Sequence, residues 1–319
     1  MLFFRKPKVE AMSKSDIAAE IAAQHFWYHD IELADGAWTQ GPFKHSVPAT
    51  RALLERVEIK GQRVLDIGAM EGFFSIIACR REAKSVLATD RLNLTPKIDL
   101  IRRSLNVHFD YALMPGLSGI SDAIKGQWNE KPDLIIYSGV LYHTLNPTGA
   151  LVKLRSFMPE NGLIIIETIA TISDKPELAL NADFKTYGPG NYYFPTTGWL
   201  GWILPFAGLS PIDCRYFTFN DNNGNKFCRI AICCMAISVP VLSSPPPDYV
   251  PPHKRWYLND AKIDFGEYAS ISEFSSQSRS SINYKSTPTF SGLSSSELMA
   301  NNNLLADPEN SRLALFDIN

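Results

Sequence analysis

Val64-Leu-Asp-Ile-Gly-Ala-Met-Glu-Gly-Phe-Phe74 is the stretch on which the fold turns. An apolar run ends at Asp66, glycines at 68 and 72 bracket a tight turn, and Phe73–Cys79 then reads as the buried face of a helix. Glycine at those two places lets backbone approach a ligand where a Cβ would collide. Asp66, at the strand tip, is placed to hold a cation or order a water. The pattern is not the dinucleotide fingerprint, because Ala69-Met70 stands where a glycine would admit a pyrophosphate. A plain strand–turn–helix would look similar, so a second signal is needed. Asp90 supplies it: this acid ends the next strand, in Val86-Leu-Ala-Thr-Asp90-Arg91, 18 residues after Gly72. A carboxylate at the tip of the second strand, about 20 residues past the glycine turn, suits both hydroxyls of a ribose.

Outward from this pair, strand-like and helical runs alternate. Arg63–Ile67, Ser85–Thr89, Val107–Leu113, Leu134–Ser138 and Gly162–Thr168 read as strands, and Pro96–Leu105 and Thr148–Phe157 have helical spacing. Such alternation implies a parallel sheet covered on both faces. Ile212–Phe219 and Phe227–Ile237 are two further strands joined by Asn220-Asp-Asn-Asn-Gly-Asn225, a strong turn signal. The expected fold is α/β: a Rossmann-like, doubly wound seven-stranded sheet, mostly parallel, that ends in an antiparallel hairpin.

Three regions follow: a leader over 1–60, a catalytic domain over 61–238 and a tail over 239–319. The leader opens with an amphipathic helix over Ser13–Gln24, capped by Ser13 or Ser15, and continues into an aromatic stretch, Phe26 to Trp38. A helix over Pro48–Val57 leads into the first strand. The leader is expected to lie across the sheet's carboxyl edge and cap the site. The tail starts with Pro240, Pro245–Pro247, Pro251 and Pro252, and residues 270–296 carry 12 serines. So little apolar surface does not offset the entropy of ordering, and the tail is expected to be largely disordered, with a short helix near Asp307–Leu315.

Composition excludes several classes. Lys plus Arg is 31 against 33 Asp plus Glu, a net charge of −2, which argues against a polyanion as the main partner. Five cysteines show no metal-binding spacing, so no metal is expected and a reduced, cytoplasmic protein is. No apolar run reaches the ~20 residues of a membrane helix, and the first residues are too polar for a signal-peptide core.

The stretches Trp27-Tyr-His-Asp-Ile-Glu-Leu33, Val64–Gly72, Asp133-Leu-Ile-Ile-Tyr-Ser-Gly-Val-Leu-Tyr-His143 with Pro147, Leu163-Ile-Ile-Ile-Glu-Thr168 and Tyr192-Tyr-Phe-Pro195 share an order with a known family. Over roughly residues 26–238 the sequence resembles class I S-adenosylmethionine-dependent methyltransferases. Within them it is similar to the group around the tRNA wobble-uridine carboxymethyltransferase and its small-molecule relatives. The resemblance implies that Asp66, Gly68 and Gly72 hold the methionine end of S-adenosylmethionine, that Asp90 with Arg91 serves the ribose, and that Gly139–Tyr142 faces the sulfonium. Two departures stand out. Where relatives carry an acid for the adenine amino group, Tyr111-Ala-Leu-Met-Pro115 has none, leaving backbone groups with Leu113 and Met114. Carboxymethylating relatives place paired arginines after Tyr-His, whereas here Thr144-Leu145 follows and no cation is near in sequence. A donor carboxylate without a charged partner binds poorly in a closed site, so ordinary S-adenosylmethionine is the expected donor.

For chemistry, His143 is the leading base candidate, or else a structural histidine fixing the loop before Pro147. Glu167, at the end of the fifth strand, is either a base, a cation ligand or a structural acid bonding the leader, and His29 and Glu32 are weaker base candidates from the leader. Tyr28, His29, Tyr192, Tyr193 and Trp199, with Tyr187, Phe194 and Trp202, are candidates for an aromatic acceptor pocket, and Gly188-Pro-Gly190 for a hinge. The expected activity is methyl transfer to a small, largely apolar or aromatic acceptor. tRNA modification is the alternative, a homo-oligomer is compatible with the sequence, and a non-enzymatic member of the fold is disfavoured by the intact Asp66, Gly68, Gly72 and Asp90.

Overall fold

The computed structural model describes residues 12–43, 45–128, 130–182, 190–221, 224–237, 280–285, 292–301 and 312–315. Its strands form a seven-stranded sheet in the order β10-β11-β7-β6-β3-β4-β5, with a three-stranded sheet β12-β1-β2 and a two-stranded one, β8-β9. Here β3 is Arg63–Ile67, β4 Ser85–Asp90, β5 Asp110–Leu113, β6 Leu134–Ser138, β7 Leu163–Ala170, β10 Leu209–Asn220 and β11 Lys226–Ala236. The pairs β3–β4, β4–β5 and β6–β7 are parallel; β10–β11 and β11–β7 are antiparallel. This is the architecture expected from the alternating pattern, with the closing hairpin reversing direction because a short Asn-rich turn permits only an antiparallel return.

The chain divides into two compact units. The first comprises Met1–Pro48, Ile59–Gln127 and Asp307–Asn319. In it α1 (Lys14–Ala23) is capped by Ser13, whose Oγ accepts the Asp16 N–H at 3.2 Å. The aromatic leader that follows is a hairpin, β1 (Asp30–Ala34) and β2 (Ala37–Trp38), turned at Asp35-Gly36 with Gly36 at φ +69°. The leader packs beside α4 (Thr95–Leu105), where Arg103 Nη2 meets Glu20 Oε2 at 2.7 Å. Helix α3 (Phe73–Arg80) buries Phe73, Phe74, Ile76 and Ile77. Strand β5 begins only at Asp110, later than the expected Val107. The carbonyls of His108 and Phe109 are taken by Cys79 Sγ and the Arg102 guanidinium, so they are not offered to a neighbouring strand. Helix α5 (Ile120–Gln127) completes this part.

The second unit comprises Ala49–Glu58 and Trp128–Ala306. All eight residues of β7 are buried, as a central strand covered on both faces requires. Helix α6 (Pro147–Ser156) starts on an Asn146 cap with proline in its first turn, and α7 (Thr197–Phe206) starts on Thr196, whose Oγ1 accepts the Trp199 N–H at 3.0 Å. β8 (Leu178–Leu180) and β9 (Tyr193–Pro195) form the small sheet before α7. Cys214, Cys228, Cys233 and Cys234 are free thiols buried in the hairpin strands, and burial pushes each thiol up from its ordinary pKa.

Three pieces of the tail are described, and each packs against the folded chain. Tyr284 bridges Val57, and its hydroxyl reaches the buried Asp213, which also meets Arg56 at 2.7 Å. Helix α8 (Ser295–Asn301) follows Leu293 and contains Leu298, both buried. Arg312–Leu313 is a strand, β12, rather than part of the helix expected over 307–315. It pairs in parallel with β1, and Arg312 meets Asp30 at 2.9 Å while lying 4.0 Å from the Trp38 ring. An open strand edge and a buried carboxylate favour extended backbone there. The proline-rich part of the tail lies outside the described residues.

Candidate active site

In the first unit, the expected residues Asp66, Gly68, Gly72 and Asp90 converge. The turn after β3 folds back onto the end of β4: the N–H groups of Gly68 and Ala69 both donate to the Thr89 carbonyl, at 2.8 and 3.0 Å. Gly68, Met70 and Gly72 have φ of +71°, +47° and +82°. At Gly72 a Cβ would stand 2.9 Å from the Phe109 ring, so the glycine is required by packing as well as by conformation.

Asp90 is buried, and its two oxygens are oriented by backbone. Oδ2 accepts the Met70 N–H at 2.9 Å and Oδ1 the Leu92 N–H at 3.0 Å. A carboxylate oxygen has two lone pairs, so each retains capacity for a hydroxyl donor, which matches a vicinal diol. Asp66 is fully buried with Oδ2 accepting the Ser75 hydroxyl at 2.7 Å. Burial raises its pKa to about 6, against the opposing Ser75 hydrogen bond. These donors and acceptors fit the amino-acid and ribose parts of S-adenosylmethionine. Arg91 is adjacent, but its side chain is exposed. Leu92 and Leu113 expose apolar side chains, and the Met114 N–H donates to the Asp90 carbonyl at 2.7 Å.

Of the leader candidates, Tyr28 is half-buried and stacks on Phe43, centroids 4.5 Å apart, whereas His29 is buried against Phe73. Both are held by Glu71, an acid of the glycine turn that the sequence reading passed over. Its Oε1 accepts the Tyr28 N–H at 2.8 Å, and its Oε2 accepts the His29 N–H at 3.4 Å and lies 3.2 Å from His29 Nδ1. Burial works against ionisation, yet His29, the Tyr28 N–H and Lys97 hold the Glu71 carboxyl below its ordinary value.

The second unit brings together Gly139, Tyr142, His143, Glu167 and Tyr192. Gly139 has φ +73°, and the short helical turn Leu141–His143 follows. Tyr142 is buried among Ile169, Phe194 and Phe227, and its carbonyl accepts the Tyr192 N–H at 2.8 Å. His143 is exposed, 4.3 Å centroid to centroid from Tyr142, with Nδ1 2.6 Å from the Gly190 carbonyl. A carbonyl only accepts, so Nδ1 carries the proton, and Nε2 of the neutral ring is the basic nitrogen.

Glu167 is completely buried in a bidentate pair with Arg229: Nε to Oε1 and Nη2 to Oε2, both 2.6 Å. Burial pushes the Glu167 carboxyl up, with the guanidinium pulling against it. Its partner is Arg229 of β11, where the sequence reading has a structural acid bonding the leader. Arg229 Nη1 also donates to the Tyr142 hydroxyl at 3.3 Å, and its guanidinium lies 5.2 Å from that ring. The cation that the sequence lacks after His143 is therefore present in space, supplied by β11 and already paired with Glu167. A lone arginine in the apolar run Phe227–Ile237 was the signal for it. Tyr193 is half-buried, Trp199 is buried within α7, and the exposed aromatics of that helix are Trp202 and Phe206, stacked at 5.5 Å. Tyr187 and the first two residues of the expected hinge lie outside the described residues; Gly190 has φ +87°.

Comparison with known proteins bears on the family and the fold. The profile of the methyltransferase-domain family matches residues 43–212, just over half of the chain. The tRNA U34 carboxymethyltransferase of Campylobacter fetus subsp. fetus (strain 82-40) is 27% identical over 194 residues, covering 56% of this chain and 66% of that protein. Its counterpart in Syntrophotalea carbinolica (strain DSM 2380 / NBRC 103641 / GraBd1) is 27% identical over 215 residues, covering 60% and 61%. The chain thus spans less than two thirds of these curated relatives. Among solved structures, the N-terminal domain of EvdMO1 with SAH bound superposes with a TM-score of 0.53 at 16% identity, covering 72% of this chain and 99% of that one. The same domain in the presence of SAH and D-fucose gives 0.51 at 18% identity, with the same coverage. At such identities the likeness is one of fold. Among the described residues no helix is long and apolar enough to cross a membrane. The matched profile, together with a seven-stranded sheet whose first strand ends in this turn, makes the chain a member of the methyltransferase-domain family, whose cofactor is S-adenosylmethionine.

Proposed function

We propose that the protein transfers the methyl group of S-adenosylmethionine to a small, largely apolar or aromatic acceptor. The observation that carries the activity is the Asp66–Asp90 pair around a positive-φ turn, two buried carboxylates held by the Ser75 hydroxyl and by backbone N–H groups respectively. When bound, the cofactor supplies an electrophilic methyl on a sulfonium. The chain supplies the rest. Asp66 faces an ammonium, Asp90 a diol, and His143 Nε2 takes the proton from the acceptor atom. We assign Glu167 a positioning role, since both its oxygens hold Arg229 and Arg229 holds the Tyr142 hydroxyl. The same pairing supports the ordinary donor over a carboxylated one, because an added carboxylate would compete with Glu167 for a guanidinium bound twice at 2.6 Å. The net charge of −2 supports a small acceptor over a polyanion.

The second reading is tRNA wobble-uridine modification, favoured by the curated relatives, whose printed activity it is. One experiment separates the two. The protein is incubated with methyl-labelled S-adenosylmethionine and, in parallel, with its labelled carboxylated analogue, each with bulk tRNA in one arm and a small-molecule extract in the other. Label passed from S-adenosylmethionine to the extract's small molecules supports the first reading, and label in tRNA from either donor overturns it.

A further inference from the structure

We propose that Glu71 is a positioning residue for cofactor binding: it ties the leader, at Tyr28 and His29 just before strand β1, to the glycine turn, so that the two reach their binding arrangement together. This rests on the reading of that turn as the cofactor cradle. Glu71 sits inside the turn, between Met70 at φ +47° and Gly72 at φ +82°, and is 0% exposed. Its carboxylate is nonetheless engaged by the leader. The Tyr28 and His29 N–H groups donate to its two oxygens, at 2.8 and 3.4 Å, and His29 Nδ1 lies 3.2 Å away. Lys97 of α4 brings its ammonium 3.5 Å from Oε1 while donating to the Phe26 carbonyl and facing the Phe26 and Trp27 rings at 5.5 and 5.1 Å. A carboxylate removed from water needs such partners, and two of them are backbone groups of the leader. If the leader leaves, Glu71 regains water by moving outward. The residue next to it, Met70, carries the N–H that orients Asp90 Oδ2. Leader, turn and ribose acid therefore form one connected run of bonds. Coupling between binding and leader docking is reciprocal, so the cofactor stabilises the leader as much as the leader stabilises the cradle.

The test uses the full chain, titrated with S-adenosylhomocysteine by calorimetry, with amide hydrogen exchange read at Tyr28 and His29. Glu71→Gln removes the charge at constant size. Thr39→Val loosens the leader without touching the turn, because Thr39 Oγ1 donates to the His29 carbonyl at 2.7 Å and accepts the Ile31 N–H at 2.9 Å. The expected result is affinity at least tenfold weaker in Glu71→Gln and severalfold weaker in Thr39→Val. The ligand should slow Tyr28 and His29 exchange in the wild type and much less in Glu71→Gln. Wild-type affinity within twofold in Glu71→Gln overturns the proposal, as does a Thr39→Val protein whose His29 exchanges faster while its affinity is unchanged. A wild type that binds no S-adenosylhomocysteine overturns the cofactor reading itself, which keeps the two failures apart.

Discussion

Asp66 shows how a single side chain sets pH behaviour. The Asp66 carboxyl has its pKa raised from 3.8 to about 6 by burial, so the folded protein takes up this proton more readily than the unfolded chain. Between about pH 4 and 6 the folded state holds the extra proton; stability from this group falls as pH rises through that window and stays lower above it. Asp66→Asn keeps an acceptor for Ser75 and removes the penalty. It should raise stability at pH 7.5 by up to about 3 kcal/mol in thermal denaturation, while weakening S-adenosylhomocysteine binding in calorimetry. Wild-type affinity should decline as pH drops below 6, since the ionised form faces the ammonium. For His143, alanine removes the base and leaves the buried Tyr142 shelf in place. The expected change is a loss of kcat of about 10²–10⁴, with little change in KM for the cofactor; equal kcat in single-turnover assays would remove His143 from the chemistry.

The strongest element-level dependence lies in β7, β11 and the turn after β3. Breaking the Arg229–Glu167 pair from one side strands a charge in a strand interior. Arg229→Met or Glu167→Leu alone should cost about 3–5 kcal/mol, and the double variant markedly less than the sum, measured as a double-mutant cycle in urea. Gly72→Ala meets both a positive φ and the Phe109 ring and should cost about 1–3 kcal/mol by the same measurement. Strands and helices of the sheet were legible from sequence because their apolar runs are continuous and their turns carry Gly, Pro or Asn. Arg63–Ile67 and Leu134–Ser138 coincide with β3 and β6. Asp66 and Asp90, the acids proposed for the cofactor, were legible as buried acids near strand ends because each closes a short apolar run. Glu71 and Arg229 were not, since each draws its meaning from partners 43 and 62 positions away. The leader hairpin was passed over despite Asp35-Gly36, its two-residue strand β2 being too short to show alternation.

Across the whole molecule, the described parts of the tail act as ties. Tyr284 closes a network over Asp213 and Arg56, its hydroxyl pushed well above the ordinary phenol value by burial and by Asp213. Leu298 is buried, and its carbonyl accepts the Tyr216 hydroxyl at 2.5 Å. Removing residues 280–319 should lower the melting temperature by several degrees, with the loss larger than that of Tyr284→Phe alone. An unchanged melting temperature would show these ties to be incidental. β12 carries a further consequence. Arg312 and Leu313 supply the outer partner of β1, and Arg312 meets Asp30 from 282 positions along the chain. During synthesis, the leader hairpin therefore emerges from the ribosome long before its neighbour exists, leaving one edge waiting while the 282 positions from Asp30 to Arg312 are added. That strand is where a chaperone would find its longest opportunity to bind, and where pausing late in translation would prolong exposure.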